Sequence, residues 1–132
     1  MDYKAFLSYG DILARGYDLK ALGRLEQGDF STIEYAIDDF LQETFQTIYD
    51  LIESYKGINF TTSFFDDMSQ EIDKYQYPKA FALQTILKWC LVEQAIFIYE
   101  NGDVMTSSQI QPDKISYSPK VIRKLWNNGL LG

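Results

Sequence analysis

The sequence predicts an all-α protein, a small bundle of about four to five helices. Three observations carry this. Apolar residues recur at spacings of three and four from Ile33 to Tyr55, which gathers them on one side of a helix. A nearly continuous apolar segment, 79–100, lies between Pro78 and Asn101-Gly102 and reads as one long helix. A third segment is framed by Ser118-Pro119 in front and Asn127-Asn128-Gly129 behind, a start and a stop signal.

The elements follow in order. Residues 2–8 suggest a short helix ended by Gly10. A weaker helix over 11–24 carries Leu13, Tyr17, Leu19 and Leu22, with Gly16 and Gly23 against it. Ser31-Thr32-Ile33-Glu34 has the form of a capping box. From it runs the stripe Ile33, Ile37, Phe40, Leu41, Phe45, Ile48, Leu51, Ile52 and Tyr55, stopped at Lys56-Gly57. Residues 58–62 read as a loop, and a short helix follows over Phe64, Phe65, Met68, Ile72 and Tyr75, broken at Gln76-Tyr77-Pro78. The 79–100 helix is apolar almost all round, so it belongs at the centre of a bundle or under neighbouring subunits. Residues 103–117 are a polar loop with room for a short strand pair. The last helix has Val121, Ile122, Leu125 and Trp126 as its apolar stripe and Lys120, Arg123 and Lys124 as its basic face.

The chain has 132 residues, enough for one domain, 1–132, with its own core. Histidine is absent, which removes Ser-His-Asp triads, Cys-His pairs and imidazole zinc sites. The single cysteine, Cys90, excludes an intrachain disulfide and a CxxC motif. Its apolar setting points to an inert thiol. No glycine-rich phosphate loop is present. Asp66, Asp67 and Glu71 are better read as solvated carboxylates than as metal ligands. No enzyme activity, cofactor or metal is expected. Lys88 and Glu93 mark either a wet edge of the apolar helix or a buried pair between subunits. The aromatics Phe64, Phe65, Tyr75, Tyr77, Phe81, Trp89 and Trp126 lack interleaved cations, so core or interface packing accounts for them better than base stacking. No uncharged apolar run of membrane-spanning length occurs. The start, Met1-Asp2-Tyr3-Lys4, lacks a signal-peptide plan, and a reducing cytoplasm fits.

Net charge is −7, unevenly spread. Residues 26–75 hold twelve acidic and two basic groups, whereas 111–132 hold four basic groups and Asp113 alone. An acidic middle and a basic tail suit either head-to-tail contact between copies or a solvated helix face followed by an ordinary basic helix end. Four tail cations are too few for a broad phosphate footprint, so specific DNA binding is not expected.

Two stretches carry a resemblance. One is Gln94-Ala95-Ile96-Phe97-Ile98-Tyr99-Glu100-Asn101-Gly102. The other runs from Ile115-Ser116-Tyr117-Ser118-Pro119 to Asn128-Gly129-Leu130-Leu131. Together they resemble the head–tail connector (head-completion or adaptor) proteins of tailed bacteriophages, loosely over 29–131 and best over 80–131. The resemblance implies a helical protein of the virion neck, made in the host cytoplasm. It would form a ring, twelve-fold in the virion, beneath the portal protein. The ring extends the DNA channel, through which DNA passes without specific binding, and offers a docking surface to the next neck or tail protein. The family has no catalytic residues to carry over.

On this reading 112–132 is a C-terminal docking segment. Lys120, Val121, Ile122, Arg123, Lys124, Leu125, Trp126 and Leu130 are its portal-side contacts. Asp38, Asp39, Glu43, Asp50 and Glu53 form an intersubunit or channel face. A different reading is a small acidic regulatory or anti-host protein that binds one protein target by mimicking DNA charge, resting on the acidic block 26–75.

Overall fold

The computed structural model describes residues 2–19, 30–101 and 117–132, with side chains of the long helix described from residue 37 onward. Among the described residues there are five α-helices and no strand. They are α1 (Tyr9–Leu13), α2 (Phe30–Lys56), α3 (Ile58–Met68), α4 (Pro78–Asn101) and α5 (Pro119–Asn127), preceded by a 3-10 turn at Tyr3–Ala5. The described residues are thus all-α. Apart from Tyr117, the 103–117 stretch in which the sequence leaves room for a strand pair lies outside the described residues.

The N-terminus departs from expectation. Gly10 does not stop a helix but sits inside α1, which begins after Ser8, where the Ser8 hydroxyl accepts the Asp11 N–H at 3.1 Å. Capping outweighs the cost of the glycine here. Nor does a helix run over 11–24, for α1 closes at Gly16, φ +89°. There Gly16 N–H reaches Leu13 O at 2.9 Å and Tyr17 N–H reaches Ile12 O at 3.4 Å, the pair of bonds that ends a helix at a left-handed residue. The remainder of that predicted helix, 20–24, lies outside the described residues.

Helix α2 is formed from Phe30, which puts Ser31 in its first turn. Ile37, Phe40, Leu41, Phe45, Ile48 and Ile52 are buried. Gly57, φ +89°, turns the chain. Its carbonyl accepts both the N–H (3.1 Å) and the hydroxyl (2.8 Å) of Thr61, so α3 starts at once and 58–62 is not a loop. The β-branched and Asn residues there have poor helix propensity. Packing overrides it: Phe65 meets Phe45 at 5.5 Å and Tyr49 at 4.8 Å between ring centroids, and Phe6 closes the cluster at 5.5 Å from Phe45. Helix α3 ends at Met68, short of the predicted Tyr75.

Helix α4 matches its prediction. It buries Gln84, Leu87, an unbroken run from Cys90 to Ile96, and Ile98. Of the two settings expected for it, the structure shows the centre of a bundle, because α1, α2 and α5 of the same chain pack on it. Two buried glutamines serve its neighbours. Gln84 Nε2 donates to the carbonyls of Met68 (2.6 Å) and Gln70 (2.7 Å), capping the end of α3. Gln94 Oε1 accepts the Ser118 N–H at 3.0 Å, at the start of α5.

Helix α5 opens with Pro119 in its first turn, behind Ser118. It ends at Gly129, φ +76°. Leu130 N–H returns to Leu125 O at 2.9 Å, and Gly129 N–H to Trp126 O at 3.1 Å. That double bond brings Leu130 back beside Leu125, and both are buried. Leu125→Ala is expected to lower unfolding free energy by about 2–5 kcal/mol through the cavity it leaves, and Gly129→Ala by about 1 kcal/mol through strain at positive φ. Urea unfolding followed by far-UV circular dichroism checks both.

Candidate functional site

The predicted portal-side residues divide by position on α5. Val121 and Leu125, with Leu130 and Leu131 beyond the helix, are fully or almost fully buried in the chain's own core. They are packing residues and present no free face, which corrects the expectation for Val121, Leu125 and Leu130. Ile122 is half-buried. Lys120, Arg123, Lys124 and Trp126 face outward. Successive helical residues stand about 100° apart, so Trp126 leaves the stripe that Leu125 buries. Residues 112–116 of the docking segment lie outside the described residues.

Around Trp126 an aromatic and cationic patch forms at the C-terminal end of α2. Trp126 is 57% exposed and meets Tyr55, 56% exposed, edge-on at 6.5 Å between ring centroids. Lys56 Nζ lies 5.0 Å from the Phe60 ring centre and 3.4 Å from the Gly132 carbonyl oxygen, to which it donates. Lys124 Nζ sits 5.4 Å over the half-buried Trp89 ring. Ile58 is exposed beside them. The backbone under the patch is fixed by the turns at Gly57 and Gly129. Tyrosine and tryptophan are among the side chains enriched in protein–protein contacts.

The acidic face of α2 is partly engaged within the chain. The Tyr3 hydroxyl donates to the Asp38 carboxylate, and Tyr3 N–H donates to Gln42 Oε1 at 3.1 Å. Burial, together with that carboxylate, pushes the Tyr3 phenol well above its ordinary range. Asp50 accepts from Gln46 Nε2 at 2.8 Å. Asp39, Glu43 and Glu53 are half-buried. Glu43 Oε2 is buried with no hydrogen-bond partner among the described residues. Its carboxyl is raised from the ordinary 4.5, first by burial and then by the Asp39 charge. Asp38 and Asp39 border a shallow groove of about 420 Å³ with Asp2, Tyr3, Lys4 and Gln42.

The charges on α4 resolve within one chain. Glu93, buried, forms an ion pair with Arg15, and the Tyr17 hydroxyl donates to Glu100. Lys88 is exposed. Arg15, Glu93, Glu100 and Lys120 line a second groove of about 350 Å³. Cys90 is buried, and desolvation pushes its thiol up to about 12 despite the opposing charge of Lys124. Among the described residues no group of three His, Cys, Asp or Glu side chains converges to hold a metal ion. Helix α4 is long and apolar enough to cross a membrane, but just over half of its most apolar stretch is buried inside the chain.

Sequence reasoning missed Tyr3 over Asp38 and the two capping glutamines of α4. An amide on an otherwise apolar helix was their signal, since it needs partners once buried. The aromatics also divide: Phe64 and Phe65 are core, whereas Tyr75, Tyr77 and Trp126 are more than half exposed and Phe81 is at the surface. Comparison with protein-family models, with curated proteins and with solved structures finds no match for this chain.

A raised Glu43 carboxyl means that the folded chain holds its proton more tightly than the unfolded chain does. The cost of the carboxylate is fully present above the raised value and fades as pH falls through it toward 4.5. Glu43→Gln is therefore expected to be more stable than the parent at pH 7, with the gap closing on acidification, as chemical unfolding across pH measures. Cys90 is expected to resist iodoacetamide at pH 8 in the native protein and to react at once in denaturant, as intact mass shows.

Proposed function

We propose that this protein is a non-catalytic adaptor of the head–tail connector kind. It docks beneath a phage portal protein, stands in a ring with copies of itself in the virion neck, and receives the next neck or tail protein while DNA passes without specific binding. The observation that supports docking is the outward-facing Trp126, held edge-on against the exposed Tyr55. The resemblance of 80–131 to connector proteins supplies the kind of partner. Docking on this reading uses the exposed half of α5 (Lys120, Arg123, Lys124 and Trp126, with the edge of Ile122), because Val121, Leu125 and Leu130 are spent on the core. The acidic face of α2 remains the candidate for contact between copies, through exposed Asp50 and half-buried Glu53 in particular.

The test uses the purified chain and the portal ring of the same phage. Trp126→Ala combined with Tyr55→Ala is expected to weaken association at least about tenfold, the scale of a lost aromatic anchor, while helical circular dichroism and melting stay near the parent's. Binding of the double variant at parental strength overturns the docking assignment. Failure of the parent chain to associate with portal rings or DNA-filled capsids overturns the connector reading.

A further inference from the structure

A second surface lies at the other end of α3. Eleven residues at 1.5 Å rise put it about 16 Å along that helix from the Gly57 turn. The connection between α3 and α4, residues 69–77, carries Tyr75, 86% exposed, and Tyr77, 56% exposed, with Phe81 at the surface one helical turn beyond Tyr77. A mobile loop would carry such rings at an entropic cost on binding. This one is pinned. Buried Gln84 donates to the carbonyls of Met68 and Gln70 at its start. Asp73 Oδ1 accepts the N–H groups of Tyr75 (2.8 Å) and Gln76 (3.3 Å) in its middle. Tyr77 N–H reaches Asp73 O at 2.8 Å, and Phe81 N–H reaches Tyr77 O at 3.0 Å at its end.

The segment that carries these rings has more acidic than basic groups. Residues 66–79 carry Asp66, Asp67, Glu71 and Asp73 against Lys74 and Lys79, and all but the last turn of α3 is spent before them. Asp66, Asp67, Glu71 and Asp73 are exposed. The Tyr75 ring already takes a cation, since Lys74 Nζ lies 5.2 Å from its centre. An aromatic face beside carboxylates attracts a guanidinium or ammonium group twice, by the ring quadrupole and by charge. Nucleic acid and anionic lipid surfaces would be repelled by the same carboxylates.

We infer that residues 69–77 with Phe81 form a preorganised docking surface for a basic segment of a partner protein. Arginine or lysine side chains of that segment stack on Tyr75 and Tyr77 and meet the carboxylates of Asp66, Asp67 and Glu71. The inference is independent of docking through Trp126, which packs on Tyr55 at the C-terminal end of α2.

A synthetic peptide alternating arginine and leucine is the probe, titrated into the full-length ¹⁵N-labelled chain and followed by amide chemical shifts. Shifts centred on Tyr75, Tyr77 and Phe81 are expected, with affinity falling roughly tenfold in Tyr75→Ala/Tyr77→Ala and falling again as salt is raised. The single Tyr75→Ala variant, at the most exposed ring, serves should the double variant lose its helical spectrum. The matched peptide with glutamate for arginine is expected to leave the spectrum unchanged. Four results overturn the inference: shifts confined to the acidic face of α2, affinity unchanged on loss of the tyrosines, equal binding of the glutamate peptide, or self-association of the chain that the tyrosine variants abolish.

Discussion

Helix α4 presents apolar side chains around most of its circumference, and those of Leu87, Cys90, Leu91, Val92, Ala95, Ile96 and Ile98 have to be kept from water at once. No single neighbour can do this, because a helix packing on a helix covers one side only. The chain meets the constraint with three: α1, α2 and α5. The rest of the architecture follows. The Schellman turn at Gly129 folds Leu130 and Leu131 back into the core, and the Arg15–Glu93 pair neutralises the one carboxylate that α4 buries. Where polar groups enter this interior they are used. Gln84 and Gln94 satisfy backbone groups at the ends of α3 and α5, tying the orientation of both helices to α4. An unsatisfied buried group would cost about 1–3 kcal/mol, so each amide fixes the position of the element it caps.

A core closed from within changes where interactions with other molecules can lie. Had α4 or the apolar stripe of α5 been left bare, association would be a condition of folding. Instead, among the described residues, the large apolar groups left outside are mostly aromatic, with Leu13 and Ile58 as the aliphatic exceptions: Tyr55 and Trp126 lie near one end of α3, Tyr75 and Tyr77 at the other.

What the sequence reveals and what it hides follows from how local each decision is. Helices α2 and α5 were legible from their apolar periodicity and α4 from the length of its apolar run, and the stop signals at Gly57 and Gly129 act within a few residues. The start of α3 was not, because Ile58 to Thr62 resist helix formation on their own, and contact between Phe65, Phe45 and Phe6 decides the matter from a distance in sequence. The same holds for the candidate site. An apolar stripe on α5 looks alike whether it faces a partner or the chain's own core, so Val121, Leu125 and Leu130 could not be separated from Trp126 by pattern. Asp38 reads as a free surface charge until the Tyr3 hydroxyl is found on it, some 35 positions away.

The placement of the only two tryptophans gives the molecule an optical label on each of two environments. Trp89 is half-sheltered beneath an ammonium group, while the indole of Trp126 stands largely in water. Their emission should differ in colour and in access to a dissolved quencher such as iodide. Capture of the outer indole by any macromolecule would shift the longer-wavelength component and leave the inner one unchanged, so intrinsic fluorescence can follow encounter at this face without a dye or a tag.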